Sequence, residues 1–372
     1  MIYEIHSRQW LLALSLLVAP LAGCGDDGGS AGPDDGSTPS FEDYAQAQAI
    51  VDDFADAVVV PTYASLATAL VALDSAAQTL AADRSDANLE AARKAWVAAR
   101  APWEASEGFL FGPVDGLGLD PALDSWPVDR SALDAVIASN DELTEQYVTN
   151  LDDTLHGFHT AEYLLFGVGG AKTAADLSDR ELAYLTSVTS LLVQVSGELE
   201  ASWTTGVNGG APYVEVFKSA GAPANAVYPS LTSAGEEIVR GMIGIADEVA
   251  NGKIADPFDQ QDTTLVESQF SFNSLTDFTN NVRSIQHAYT AEVPFASTSG
   301  IGLDEYIASV DLALDTRLKA EIQAAIDALG QIPEPFDDAI TDTEAANEIQ
   351  AAQEALRTVQ TTLEQDVLPL FL

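Results

Sequence analysis

From Phe41 to the C-terminus the apolar positions recur with a helical period, and no stretch sustains a two-residue alternation. Leu89, Ala92, Trp96, Ala99 and Trp103 advance in steps of three and four, which lines up one buried stripe on a helix. Leu275, Phe278, Val282, Ile285 and Tyr289 repeat that spacing near the other end. The pattern predicts helices over 41–82 (bent near Pro61), 86–108, 131–149, 152–166, 174–204, 225–251, 264–290, 303–329 and 343–368. Gly/Pro-rich breaks separate them at 112–127, 206–212, 220–223, 252–259 and 330–335. The expected fold class is all-α, with helices long enough for bundles. The 206–223 region, rich in Gly and Pro, is the expected boundary between two halves, about 41–205 and 224–372.

The first forty residues follow another logic. A short n-region with Arg8 precedes an apolar run from Trp10 to Ala22, broken only by Ser15 and Pro20. The run is shorter than the roughly 20 apolar residues of a membrane span and suits the core of a secretion signal. It ends in Leu21-Ala22-Gly23-Cys24, which resembles the lipobox of bacterial lipoproteins, where the Cys becomes the lipidated first residue. The expectation is a signal peptide at 1–23, then a Gly/Asp/Ser/Pro tether at 24–40 carrying lipidated Cys24. Cys24 is the single cysteine, so no internal disulfide or thiolate metal site can form. This address points to a bacterial cell envelope, with the protein lipid-anchored and periplasmic or on the outer membrane.

Charge narrows the partners. With 15 Lys+Arg against 58 Asp+Glu among 372 residues, the formal net charge is −43. Nucleic acid is excluded, because phosphate binding needs clustered Lys and Arg. An anionic lipid surface is equally disfavoured as an electrostatic partner. Cations suit this field, although acidity can also serve solubility alone.

Nucleotide-loop and hydrolase-elbow signatures are missing; Gly167-Val168-Gly169-Gly170 follows a helix, not a strand. Candidate chemistry gathers around His159 and Glu162, three apart on one helical face. Glu162 has only Phe158, His159, Leu165 and Phe166 as helical neighbours. A buried carboxylate there must lose its charge, hydrogen-bond His159 or a distant Arg, or find a cation. Upstream, Glu104 follows Arg100 by four residues, as in a surface ion pair. Glu107 has no basic helical neighbour, and a loop beyond it carries Asp115, Asp120, Asp124 and Asp129. Between Ala101 and Ala171 thirteen acidic residues face one basic residue, Arg130. Carboxylates with imidazole and no thiolate suit iron, zinc, copper or manganese. A zinc protease helix would read His-Glu-x-x-His, and the second His is absent here. Finally, Asn273, Asp277, Asn280, Ser284 and His287 form a polar face beside an apolar stripe, either solvated or supporting a site.

These blocks together resemble the imelysin-like family. The resemblance rests on Gly157-x-His159-x-x-Glu162 followed by Tyr163-Leu164-Leu165-Phe166-Gly167, on Arg100 to Gly112, on Leu119-Asp120-Pro121-Ala122-Leu123-Asp124-Ser125-Trp126-Pro127, and on Phe272-Asn273-Ser274 to Tyr289, in that family's order. It implies two packed helical bundles, a site at their interface, and an envelope location. The family includes iron-regulated proteins, a periplasmic iron-transport component and an insulin-cleaving membrane protease. It therefore implies a metal site at Glu104, Glu107, Asp124, His159 and Glu162, with Asn273, Asp277 and Arg283 supporting it from behind. Iron is the expected ion, with zinc or copper as alternatives, and iron-uptake proteins are the expected partners beside the membrane anchor. Two other readings stay open: a metallopeptidase using the same His-x-x-Glu residues, and a non-catalytic docking lipoprotein.

Overall fold

The computed structural model describes residues 39–372; the signal segment, Cys24 and nearly all of the tether lie outside them. Among the described residues there is no strand, and the secondary structure is helical throughout.

The long helices are α1 (Ala47–Ala82), α2 (Asp86–Glu104), α4 (Gly157–Phe166), α5 (Asp179–Thr204), α6 (Leu231–Glu248), α7 (Ser274–Thr290), α8 (Leu312–Leu329) and α9 (Ala346–Thr362), with the short α3 (Leu119–Asp124) between α2 and α4. Their starts are written locally. Ser85, Ser178, Ser230 and Asp311 each accept a backbone N–H of the first turn, and Glu181 returns the bond to complete a capping box at α5. In α1 a π-helical turn, Phe54–Val59, lies just ahead of Pro61, the point where the pattern predicts a bend. By length and composition α1 could cross a membrane. In the fold it is a core helix, with Tyr63, Leu66, Leu70, Leu73, Ala77 and Leu80 fully buried.

Two groups of helices emerge from the packing. In one, α1 lies against α2 and α5, and α4 fills the gap between α2 and α5. In the other, α6 and α8 each pack on α7 and α9. A 3-10 turn at Glu107–Phe109 sits between α6 and α7, and α7 also touches α2. Glycine makes that approach possible: a Cβ on Gly241 would lie 2.2 Å from the Gly108 carbonyl oxygen, and one on Gly108 would lie 2.7 Å from Ser284 Oγ. A single apolar core runs through both groups.

Several expected boundaries move. The predicted 131–149 helix is two pieces, Arg130–Ala138 and Glu145–Thr149, and 303–329 breaks at Asp311, which caps the second piece. The break at 112–127 contains two short helices, Pro113–Gly116 and α3; Tyr213–Lys218 is helical between the breaks at 206–212 and 220–223, and Ala255–Gln260 overlaps the break at 252–259. Most consequential is 264–290, which becomes α-helical only from Ser274. Residues 266–273 instead form a turning strap with Ser268 and Phe272 at positive φ. A period-based reading fails there because two of the strap's apolar residues, Val266 and Phe270, are buried by tertiary contact, not by a helical face, while Phe272 is exposed.

Candidate metal centre

Several segments converge where the two helix groups meet. Arg100 and Glu104 come from the last turns of α2, Glu107 from the 3-10 turn, and Asp124 from the end of α3. His159 and Glu162 come from α4, Lys253 from the π-helical turn that continues α6, Glu267 from the strap, and Asp277 and Asn281 from α7.

Arg100 is at the centre and fully buried. Its guanidinium pairs with Glu104, with Asp124 Oδ1 at 2.6 Å and with Glu267 Oε1 at 2.9 Å, and its Nε lies 3.6 Å from Asp277. Its flat face lies over the Phe158 ring at 5.1 Å, a cation–π contact that holds it against α4. Lys253 Nζ sits among Glu267 (3.1 Å), Glu107 (3.2 Å) and Glu104 (3.7 Å). Glu107 is therefore not unpaired; its cation arrives from 146 residues away, beyond the reach of helical spacing. Glu104 likewise forms a fully buried pair with Arg100, not a surface one, and accepts from Asn281 Nδ2 at 2.5 Å.

Glycine also decides how α4 begins. Gly157 has φ +82, and a Cβ there would stand 2.5 Å from the Leu123 carbonyl oxygen. The missing side chain lets the start of α4 abut the end of α3, which brings His159 Nε2 to 3.2 Å from Asp124 Oδ1. Asp124 is fixed by Trp103, whose Nε1 donates to Oδ2 at 2.5 Å.

Glu162 is fully committed. Oε1 accepts the backbone N–H groups of Phe270 (3.0 Å) and Ser271 (2.8 Å) and the Ser271 hydroxyl (2.7 Å). Oε2 lies 2.9 Å from His159 Nδ1. A carboxylate only accepts, so Nδ1 carries the proton and Nε2 is left to face Asp124 and Glu267. Nε2 is buried and has no hydrogen-bond partner; its distance to Glu267 Oε1 is 3.8 Å. Glu162 thus hydrogen-bonds His159, one of the outcomes its position allows, and its other donors come from the strap.

The electrostatics follow from burial. Six carboxylates, Glu104, Glu107, Asp124, Glu162, Glu267 and Asp277, share three basic groups, Arg100, Lys253 and the imidazole. Burial pushes Glu104 up to about 8 and Asp277 up to about 6, against the pull of Arg100. Burial raises Glu107 well above the carboxylate range even with Lys253 beside it. Burial would raise Glu267 and Asp124 too, but Lys253, His159 and Arg100 hold Glu267 down to about 2, and Arg100 and His159 hold Asp124 low. Burial disfavours a charged His159, yet the carboxylates around it, Asp124 first and then Glu162 and Glu267, outweigh that and raise the imidazole well above its ordinary value. Each buried ion costs several kcal/mol of desolvation, and apolar replacements of such clusters are often more stable. A concentration of this kind marks a candidate functional site.

Oxygen and nitrogen atoms within 4.8 Å of one another define two overlapping sets, Asp124–His159–Glu267 and Glu104–Glu107–Asp124–Glu267. A cleft of about 150 Å³ leads to them, lined by Glu107, Leu110, Asp120, Asp124, Trp126, Glu248, Lys253 and Glu267. Burial and Asp124 push Asp120, in that lining, up to about 7.

Of the residues singled out from sequence, Glu104, Glu107, Asp124, His159 and Glu162 all come together here. Asp277 reaches the cluster through Arg100, and Asn273 Nδ2 orients it at 2.7 Å. Arg283 lies apart, bonded to Asn280 and lining a groove with Leu275, Leu329 and Glu334. The polar face of α7 is not solvated: Asp277, Ser284 and His287 are buried at the junction. Glu267 and Lys253 were not foreseen. Glu267 carried a weak signal, being an acid just ahead of the Phe272-Asn273-Ser274 block; Lys253 in a Gly-containing break carried none.

Comparison with known families gives this geometry a context. The imelysin family model matches residues 59–363. The chain belongs to the imelysin family. The chain is 36% identical over 335 residues to iron-regulated protein A of Synechococcus elongatus, spanning 89% of this chain and 90% of that one. Among solved structures it is similar to that of an iron-regulated protein A precursor, so described provisionally, from Parabacteroides distasonis (TM-score 0.80, 32% identity, 91% of this chain and 97% of that one). An imelysin-like protein from Psychrobacter arcticum shares the fold at 16% identity (TM-score 0.70, 88% and 95%). The all-α architecture is thus that of its structural relatives.

Proposed function

We propose that this protein is an envelope lipoprotein, anchored through Cys24, that binds one metal ion, iron, where its two helical bundles meet, and serves iron uptake by capture or handling. The observation that carries the reading is His159. Its Nδ1 is locked by Glu162, while its buried Nε2 has no hydrogen-bond partner and faces Asp124 and Glu267. Carboxylates that orient a ligating imidazole through its other nitrogen are a recurrent feature of metal centres. Asp124, His159 and Glu267 would hold the ion, with Glu104 and Glu107 beside them and Glu162 orienting the ring. This set of hard oxygens and one nitrogen suits iron, and also zinc, copper or manganese. The iron-regulated names of the relatives support iron among these. The same acids attract a proton to Nε2, so metal and proton compete for one place and uptake releases protons.

Handling is favoured over peptide cleavage by two features. Both Glu162 oxygens are occupied by hydrogen bonds, so it is no free general base. The cleft of about 150 Å³ is narrow for a polypeptide. The test is metal content by mass spectrometry of protein purified without chelator and reloaded anaerobically with Fe(II). About one equivalent in the wild type and none in His159→Ala is the expected result. Equal, empty proteins would overturn the metal reading, and cleavage of a peptide library that stops in Glu162→Gln would favour the peptidase.

A further inference from the structure

We propose that Lys253 is the built-in occupant of a second cation pocket, and that its ammonium limits the centre to one metal ion. The inference rests on the reading that the His159 side takes a metal. The two ligand sets share Asp124 and Glu267: His159 completes one, and Glu104 with Glu107 completes the other. Carboxylates bridging two adjacent pockets in this way could serve two ions about as well as one. Lys253 fills only one of these pockets. Its Nζ is 3.2 Å and 3.1 Å from the two Glu267 oxygens, 3.3 Å and 3.2 Å from those of Glu107, and 3.7 Å from Glu104.

The occupancy is incomplete, which marks the pocket as cation-shaped. An ammonium has three protons, whereas four carboxylates surround it, Glu248 the farthest at 3.9 Å, and Glu267 Oε2, 3.1 Å away, makes no hydrogen bond in the buried interior. The backbone also brings this one lysine inward: Lys253 ends the π-helical turn Val249–Lys253, a widened turn of the kind concentrated at functional sites. Its side chain is 5% exposed, in a chain with only 15 basic residues. A doubly charged ion beside that ammonium would meet direct repulsion across a few ångströms of poorly screened interior. The His159 side adds an imidazole ligand and holds no ammonium, so the first ion binds there, with the Arg100 guanidinium a charge on the edge that both pockets share.

The test is the number of Mn(II) ions bound, by equilibrium dialysis and elemental analysis, in wild type, Lys253→Gln, Lys253→Met and Lys253→Arg. The expected result is one ion in the wild type and in the charge-keeping Arg variant, and two in the neutral variants. One ion or none in folded neutral variants, with one in the wild type, would overturn the proposal. If the neutral variants unfold without metal, added Mn(II) should restore the wild-type circular dichroism by supplying the missing charge, and failure to do so would overturn it as well. A wild type that binds no ion refutes the metal reading itself, a separate result.

Discussion

Replacing Glu162 with glutamine keeps the shape of α4 and changes one property, the identity of the group facing His159 Nδ1. The glutamine can keep its carbonyl oxygen on the Phe270 and Ser271 donors of the strap, which leaves its amide NH2 aimed at the imidazole. Nδ1 must then accept, so the one proton of the neutral, metal-binding ring sits on Nε2, and the lone pair that would face the ion beside Asp124 and Glu267 is lost. Removing an outer carboxylate of this kind typically costs roughly 10- to 100-fold in metal affinity, or about 1.4–2.7 kcal/mol. The strap also loosens: three bonds to a charged acceptor become bonds to a neutral one, each weaker by about 1 kcal/mol. Relief from burying the charge returns part of that. The assay is competition for Fe(II) or Mn(II) against a coloured chelator, for wild type, Glu162→Gln and His159→Ala. The expected order of affinity is wild type, then Glu162→Gln, then His159→Ala. Wild-type affinity in Glu162→Gln would refute the tautomer argument. Loss as complete as in His159→Ala would instead put Glu162 among the direct ligands.

Three further outcomes are expected. Without metal, the melting temperature should fall as pH rises from about 4 to about 8. Asp277 (about 6), Asp120 (about 7) and Glu104 (about 8) titrate above their unfolded values, so the stability they contribute is complete at low pH and lost through that window. Bound metal should flatten the fall, and a melting temperature that holds or rises without metal would contradict the assignment. Asp124 and Glu267 are held low, so their contribution has the opposite sign and is lost only under acid conditions, toward about pH 2. Gly157→Ala forces φ +82 on an alanine and a Cβ to 2.5 Å from a carbonyl oxygen, so destabilisation of about 2–4 kcal/mol is expected in urea unfolding, together with weaker metal binding. Trp103→Phe deletes the indole bond to Asp124 at a cost of about 1.5–3 kcal/mol. If its unfolding midpoint and metal affinity both match wild type, that bond does not position Asp124.

Particular residues show where sequence reading stops. The stripes Leu89–Trp103 and Leu275–Tyr289 are buried as their spacing predicts, because helical periodicity is a local property. His159 and Glu162 were legible as a pair for the same reason: residues three apart on one helix are neighbours in any fold. Glu107 illustrates the opposite. Its helical neighbours include no base, and the sequence alone presents it as an unpaired acid; Lys253 reaches it only after α6 packs on the 107–109 turn. Arg100 looked like half of a surface pair and is the fully buried hub of the cluster.

Sequence alone was enough for the all-α class, the acid-rich stretch with no thiolate, and the Gly-x-His-x-x-Glu block with the family it belongs to. Each of these depends on neighbours within a turn or two, or on composition. The chemistry of the centre needed the folded chain: Glu162 spends its oxygens on the strap and on Nδ1, Glu267 takes the place beside His159, and Lys253 supplies one of the charges. The physical reason is that desolvation and Coulomb energy depend on distance in space, whereas Arg100 and Glu267, in contact at the hub, are 167 residues apart along the chain.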